Sequence, residues 1–441
     1  MRGLVLLSAL CTACGVADST HESAEGPHRG VFDPIGRIQD ADVQVVEPAQ
    51  IPDPIEPIEP VSPPRILAVQ FEPVAHDADA LRWTDIAFLP GPTSEFLAVD
   101  KDGHVYHLRL EGDGARTLGQ FTLDQTWDDS DAGLISVTVD PNFETNGYFY
   151  VGLTTSQQRN LIQRHRLDPT DYAATRASAA LVMEVEDRRA PRSWHNVGAI
   201  GFTDEGYLWA LFGDKVLDDE AQNPGSPLGA LVRIIPDPGP DGGHTLPPDN
   251  PFADTGGHPA VYAIGMRSPW KGTYYEGRWW FGDVGLDSYE EVNRIDAPGQ
   301  NFGWPDIEGP CPSAGCGDTV APWDVYGRGA RDPYVRADID ATPARHRSVW
   351  VGPVYRGTGG DRYAGLLDEM LLFGDSFSGF VRARGIDDEQ SVHVGHLWGL
   401  TAIAEGPDGY LYATALGTWP VDAPTVQSGL YRVVLDGEQS R

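Results

Sequence analysis

The sequence predicts an all-β fold: a six-bladed β-propeller with long inter-strand loops, preceded by a linker without regular structure. Three observations predict it. Glycine (51) and proline (36) are abundant among 441 residues, which favours short strands and frequent turns over long helices. A turn followed by alternating aromatic and aliphatic residues recurs six times, the pattern of radially repeated hairpins. The last strand candidate, "SGLYRVVLD" (428–436), can pair with the first, "RILAVQFEP" (65–73), and close a ring. The uneven spacing of the six units leaves seven blades or a large sandwich as competing arrangements.

The N-terminus "MRGLVLLSALCTACGVADST" places one arginine before a short apolar run, Gly3 to Leu10. Residues 1–13 read as a secretory signal, too short to span a membrane. Cys14 follows Thr12 and Ala13 and resembles the lipidated residue of a bacterial lipoprotein, although Cys11 stands where an aliphatic residue is usual. Lipid anchoring at Cys14 would be the only membrane attachment; simple secretion is the other reading. Residues 14–64 form a Pro/acid-rich linker, and "PDPIEPIEPVSPPR" (52–65) is an extended, self-repelling spacer. The propeller takes residues 65–437.

The formal net charge is −33 and the pI is near 4.5, a surface that repels phosphate backbones and argues against nucleic-acid binding. Export permits disulfides. With Cys11 removed and Cys14 lipidated, Cys311 and Cys316 of "CPSAGC" remain and can close a small loop. Zinc would need further ligands nearby.

The six units are "DKDGHVYHLRL" (100–110), "ETNGYFYVGLTT" (144–155), "TDEGYLWALFGD" (203–214), "YYEGRWWFGDVG" (274–285), "LLDEMLLFGDSFSG" (366–379) and "GPDGYLYATAL" (406–416). Asp-Gly and Asn-Gly turns supply the positive φ of tight hairpins. Propellers bind ligands on loops at one channel mouth. The third unit lies in "HNVGAIGFTDEGYLWALFGD" (195–214), which carries a histidine at its entrance and a carboxylate at its exit. Taken alone, His195 reads as an ordinary strand-end histidine, "DSYEEVNRI" as an acidic edge strand, and Trp279–Trp280 as blade packing.

Four blocks together carry a resemblance: "AGLISVTVDPNFETNGYFYVGLTT" (132–155), the 195–214 hairpin, residues 250–309 ending in "NFGWPDIEG", and "GPVYRGTGGDRYAGLLDEMLLFGDSFSGFV" (352–381). The chain resembles the soluble pyrroloquinoline quinone (PQQ)-dependent sugar dehydrogenases, the glucose/sorbosone dehydrogenase family. The resemblance implies PQQ and Ca²⁺ at the channel mouth, a small sugar as substrate and an external electron acceptor. It makes His195 the general base, Asp214 its orienting carboxylate and Arg267 the residue facing the quinone oxygen. It places Arg267, Ser268, Arg356 and Asp131 around the cofactor. Calcium would lie on the carbonyls of Gly285 and Leu286, with structural calcium near Glu290, Glu291 and Phe302.

Three departures stand out. Ser268 replaces the usual asparagine, Phe380 replaces an arginine that would meet PQQ's carboxylates, and Asp131 sits near a usual glutamine or glutamate. Animal relatives with this propeller act as binding proteins. A non-catalytic, calcium-stabilised propeller binding a saccharide or protein is therefore the first alternative, and a lactone hydrolase the second.

Overall fold

The computed structural model of the chain describes residues 65–76, 82–186, 193–313, 315–328, 347–417 and 428–436. The signal segment, Cys14 and the linker to residue 64 lie outside them.

Six sheets of four or five strands make six blades. Blade 1 runs Trp83–Phe88, Glu95–Asp100, His104–Glu111 and Gly114–Thr122. Blade 2 runs Leu134–Val139, Tyr148–Thr154, Arg159–Arg166 and Ala180–Glu186. Blade 3 uses Val197–Phe202, Leu208–Phe212, Ala230–Pro236 and Val261–Ile264, with the short His244–Thr245. Blade 4 runs Pro269–Tyr275, Arg278–Asp283, Tyr289–Ile295 and Asp324–Gly327. Blade 5 runs Val349–Val354, Met370–Asp375, Phe380–Gly385 and Ser391–His396. Blade 6 runs Leu400–Glu405, Leu411–Ala415 and Gly429–Leu435, and Val69–His76 is its outer strand. The first strand of each blade lies against the first strand of the next, and blade 6 returns to blade 1.

The ring closes as the sequence predicts. Val69–His76 pairs antiparallel with Gly429–Leu435, with Val69 opposite Leu435, and Arg65–Ile66 adds a parallel edge to blade 5. Five repeat units mark the inner hairpin or second strand of blades 2 to 6. The unit at 100–110 is one strand out of phase: it turns between the second and third strands of blade 1. The inner turn of that blade lies at residues 89–94, where Pro90, Gly91 and Pro92 form a turn without the Asp-Gly signature. The blade count survives because each blade still contributes one unit.

Apolar side chains alternate between adjoining blades and build the core. Trp280, Trp350, Phe212 and Phe373 are among the largest fully buried. Trp279 and Trp280 are both buried in this packing, as the sequence reading had them. Cys311 and Cys316 are joined in a disulfide, Cα to Cα 5.0 Å.

His165 lies stacked on Phe149, ring centres 5.4 Å apart, with Nδ1 3.3 Å from the Thr175 carbonyl. Burial pushes its pKa down from 6.5 to about 4. The unfolded chain takes up this proton at a higher pH than the folded chain does. His165 therefore favours folding above pH 6.5 and loses that contribution as pH falls toward 4, a swing of order 3 kcal/mol. Denaturant midpoints measured from pH 7 to 4 are expected to fall, and His165→Leu to flatten the slope between 6.5 and 4.

The channel is bridged by charge. Lys271, on the inner strand of blade 4, puts Nζ 3.3 Å from Asp85 on the inner strand of blade 1. It also donates to the Ile135 carbonyl of blade 2 at 2.7 Å. Asp85 Oδ2 in turn accepts the Val137 amide at 3.1 Å. One ion pair thus ties together blades on opposite sides of the ring.

Candidate active site

The inner hairpin of blade 3 brings its two ends to one rim, because Val197 pairs with Phe212. Two residues before one strand is His195, and two residues after the other is Asp214. His195 Nδ1 and Asp214 Oδ1 are 2.5 Å apart and both residues are buried. The other carboxylate oxygen accepts from Trp304 Nε1 at 2.8 Å, and Oδ1 also takes the Val216 amide at 2.7 Å. With both oxygens filled, Asp214 holds the imidazole in one orientation and leaves Nε2 as the nitrogen able to accept a proton.

Asp214 departs from a pattern repeated around the ring. Asp283 and Asp375 occupy the corresponding end of the second strand, each in a Phe-Gly-Asp sequence. Asp283 accepts the backbone amides of Arg267 and Ser268 at 2.9 and 2.6 Å. Asp375 accepts those of Arg347 and Ser348 at 2.9 and 3.0 Å. In both blades the carboxylate caps the turn that enters the inner strand. In blade 3 the His195 amide goes instead to Asp131 Oδ2, at 2.6 Å. Asp131 has taken over the cap, and Asp214 is released to the imidazole. Asp131 also receives Asn196 Nδ2 at 2.6 Å, and Asn196 Oδ1 receives the buried Lys215 ammonium at 2.6 Å.

The backbone is strained here. His195, Lys215 and Val216 all have φ between 56° and 58°, a left-handed conformation that is a genuine outlier for a β-branched valine. Gly213 allows the close approach: a Cβ there would lie 2.7 Å from the His195 backbone.

Arg267 adjoins this pair, its carbonyl accepting the Asp214 amide at 2.8 Å. One guanidinium nitrogen donates to the Val284 carbonyl at 2.8 Å, and the group lies 5.3 Å from the centre of the Trp304 ring. Its Nε is buried without a hydrogen-bond partner, so a donor remains for an anionic ligand. Burial lowers the Arg267 pKa, opposed by Asp214 and Asp283. Burial likewise pushes the Asp283 carboxyl up to about 6. Ser268 contributes its amide to Asp283 and its carbonyl to the Val284 amide.

The remaining sequence-predicted residues fall differently. Arg356 is not brought to this rim. It follows Val354, the far end of a strand whose first residue, Val349, is held by Glu290 near the site. The strand length of six residues separates them by about 20 Å. The Arg356 amide is instead bound by Glu405 at 2.9 Å.

Gly285 and Leu286 do form a loop at the rim, but its amides face inward. The N–H groups of Leu286, Asp287, Ser288 and Tyr289 all point to Glu308 Oε1, at 2.8 to 3.3 Å. The Gly285 carbonyl accepts from the Arg328 guanidinium, which also pairs with Glu290 at 3.0 Å. Glu291 is held by Asn293 Nδ2 at 2.9 Å and by the Gly309 amide at 2.5 Å, and burial pushes its pKa up to about 8. Phe302 is a core residue, its ring edge-on to Phe281. Among the described residues no group of three His, Cys, Asp or Glu side chains is placed to hold a metal. The Gly285 carbonyl and the Glu290 and Glu291 carboxylates are thus turned to Arg328, the Val349 and Gly309 amides and Asn293. Arg328 lies outside the blocks that suggested the metal, and Glu308 lies at the end of one of them, where no local pattern states that its carboxylate will take the loop's amides.

Phe380 is buried with its ring 4.4 Å from the Arg382 guanidinium carbon. Sequence reasoning also passed over Trp304, Asn196, Lys215 and Trp194. Trp194 is 53% exposed immediately beside the buried His195. The "NFGWP" turn gave the only signal for Trp304.

The chain is a closed six-bladed propeller whose third blade carries a buried histidine–aspartate pair beside an arginine. The glucose/sorbosone dehydrogenase family model matches residues 82–417, and the chain belongs to that family. It is 32% identical to the HIPL1 protein of Arabidopsis thaliana over 180 residues, 36% of this chain and 26% of that one. It is 27% identical to the human Hedgehog-interacting protein over 197 residues, 40% of this chain and 28% of that one. The chain therefore spans about a quarter of the length of these curated relatives. The PQQ-bound aldose sugar dehydrogenase of Streptomyces coelicolor superposes with a TM-score of 0.63 at 18% identity, covering 85% of this chain and all of that one. The apo soluble aldose sugar dehydrogenase of Escherichia coli gives 0.60 at 19% identity, covering 83% and 99%. At these identities the likeness concerns the fold.

Proposed function

We propose that this propeller oxidises an aldose or related sugar at the anomeric carbon, with His195 as general base and PQQ as hydride acceptor. The observation that carries the reading is the His195–Asp214 pair beside an arginine with an unfilled donor. PQQ, when bound, supplies an electrophilic quinone and several carboxylates. The orphaned Arg267 Nε suits such an anion, as does the cationic rim it shares with Arg328.

The chain's own part follows from geometry. Nε2 of His195 takes the proton of the anomeric hydroxyl, a transfer typically worth about 10²–10⁴ in rate. Asp214 stabilises the resulting imidazolium without moving, since its two oxygens are already fixed. Arg267 sets positive charge where negative charge develops. The sugar leaves as the lactone, and an external acceptor must take up the electrons. The Gly285 carbonyl and Glu290 face the Arg328 guanidinium, and no step is routed through calcium.

Dye reduction by the full chain with PQQ and a panel of aldoses, with and without Ca²⁺, tests the reading. Turnover that requires PQQ and collapses in His195→Ala supports it. No turnover together with no PQQ binding at micromolar concentration would sink it.

Two observations favour the second reading, a non-catalytic binding propeller. Phe380, which stands where the resemblance expects an arginine for PQQ's carboxylates, is a buried ring, and the relatives include Hedgehog-interacting protein. That reading predicts saccharide or protein binding indifferent to PQQ. A lactone hydrolase would need a metal on the channel axis, where Lys271 and Asp85 are paired instead.

Trp194 precedes the base in the chain and exposes its ring to solvent. In the dehydrogenase reading, Trp194→Ala is expected to raise KM for the preferred aldose about fivefold, the effect of ~1 kcal/mol of aromatic contact, with kcat changed less. Steady-state kinetics across the sugar panel would read this split.

A further inference from the structure

The rim of blade 4 contains a cation of its own. Arg328 follows the outer strand Asp324–Gly327, and its backbone amide donates to the Ser288 carbonyl at 2.9 Å. That bond sets its side chain over the 285–290 loop. One terminal nitrogen donates to the Gly285 carbonyl and lies 3.0 Å from Glu290 Oε1. Glu290 is fully buried, and its second oxygen accepts the Val349 amide of blade 5 at 3.0 Å. On the other side of the loop, four consecutive amides converge on Glu308. The loop's amides thus have an anion and its carbonyl has a cation, all supplied by side chains of this chain.

We infer that Arg328 stands in the place where related loops are expected to carry calcium, so that this protein holds its 285–290 loop without a metal ion. Calcium takes six to eight oxygen ligands at about 2.3–2.6 Å. Here the Gly285 carbonyl and Glu290 Oε1 are already turned to a guanidinium. An added divalent ion would face that guanidinium at contact distance, with Arg267 close enough to feel Arg328's charge. Arginine also differs from the ion in kind: it cannot be chelated, and it stays protonated at every working pH. The positive field beside Arg267 is therefore permanent. This inference concerns the loop alone and stands whether or not the pocket is redox-active.

The test is thermal unfolding of the full chain in EGTA, in 1 mM CaCl₂ and in matched MgCl₂, with calorimetric titration of Ca²⁺ alongside. The wild type is expected to melt at the same temperature in all three and to show no stoichiometric site. Arg328→Gln, which leaves Glu290 buried without its cation, is expected to lower Tm by several degrees in EGTA. Should that variant not fold, Arg328→Lys keeps the charge and is expected to fold and to remain indifferent to calcium. A wild-type Tm that drops in EGTA and recovers with Ca²⁺ but not Mg²⁺ would overturn the inference. So would an Arg328→Gln protein as stable as the wild type, or an Arg328→Lys protein that folds only with calcium.

Discussion

Asp214→Asn is expected to cut PQQ-dependent dye reduction by at least 10²-fold, and toward 10⁴-fold, while the protein stays folded and still binds PQQ. The carboxylate fixes His195 through a 2.5 Å contact and is itself fixed by Trp304 and the Val216 amide. An asparagine has one acceptor oxygen for these three donors. Its amide nitrogen would donate to Nδ1 or leave it unpartnered, and either outcome favours the wrong imidazole tautomer. His195→Ala should cost a similar factor, and the double variant little more than either, because the two residues act as one unit. Asp283→Asn is the informative contrast: the same Phe-Gly-Asp position, but a turn cap, so its loss should appear chiefly in stability. Equal kcat effects from the two aspartates would mean that Asp214 is only another cap.

Lys271→Met is expected to be the most damaging substitution for the ring itself. Lys271 and Asp85 each sit where burial opposes charge, the ammonium pushed down and the carboxyl pushed up from their ordinary values. Together they satisfy one another and the Ile135 carbonyl and Val137 amide. Removing one partner strands the other, at a cost of about 3–5 kcal/mol. Replacing both with apolar or neutral groups, as in Lys271→Met with Asp85→Asn, should return most of that loss. Guanidinium unfolding midpoints of the three proteins would read the coupling. Independent, additive losses would show that the pair does not act across the channel as a unit.

Local signals in the sequence identify the blades, and partner identities escape it. Turn glycines and alternating apolar residues mark the second strands, and the composition of residues 65–73 and 428–436 suggests the closure. The out-of-phase unit at 100–110 misleads because an Asp-Gly turn is equally good between any two strands of a blade. His195 and Asp214 are legible as a pair because one hairpin joins them. Trp304, 90 residues from Asp214, and Arg328, 43 from Gly285, are not. No local pattern states that a distant side chain will fill a carboxylate or a carbonyl. Arg356 fails for a related reason: a motif gives a residue's place in the chain, but the strand's direction decides which mouth of the channel it reaches.

The closure of the ring also sets an order of assembly. Val69–His76 is made before the six inner strands of the propeller, and its partner Gly429–Leu435 after all of them. Until then the early strand has no antiparallel neighbour, and unpaired strands are templates for association with other chains. This one carries Glu72 and Pro73 in its middle, a charge and a residue that cannot donate to a ladder. The register shifts at that proline even in the finished sheet. The strand that completes the sixth blade is thus poorly suited to pairing with anything else before Gly429–Leu435 exists.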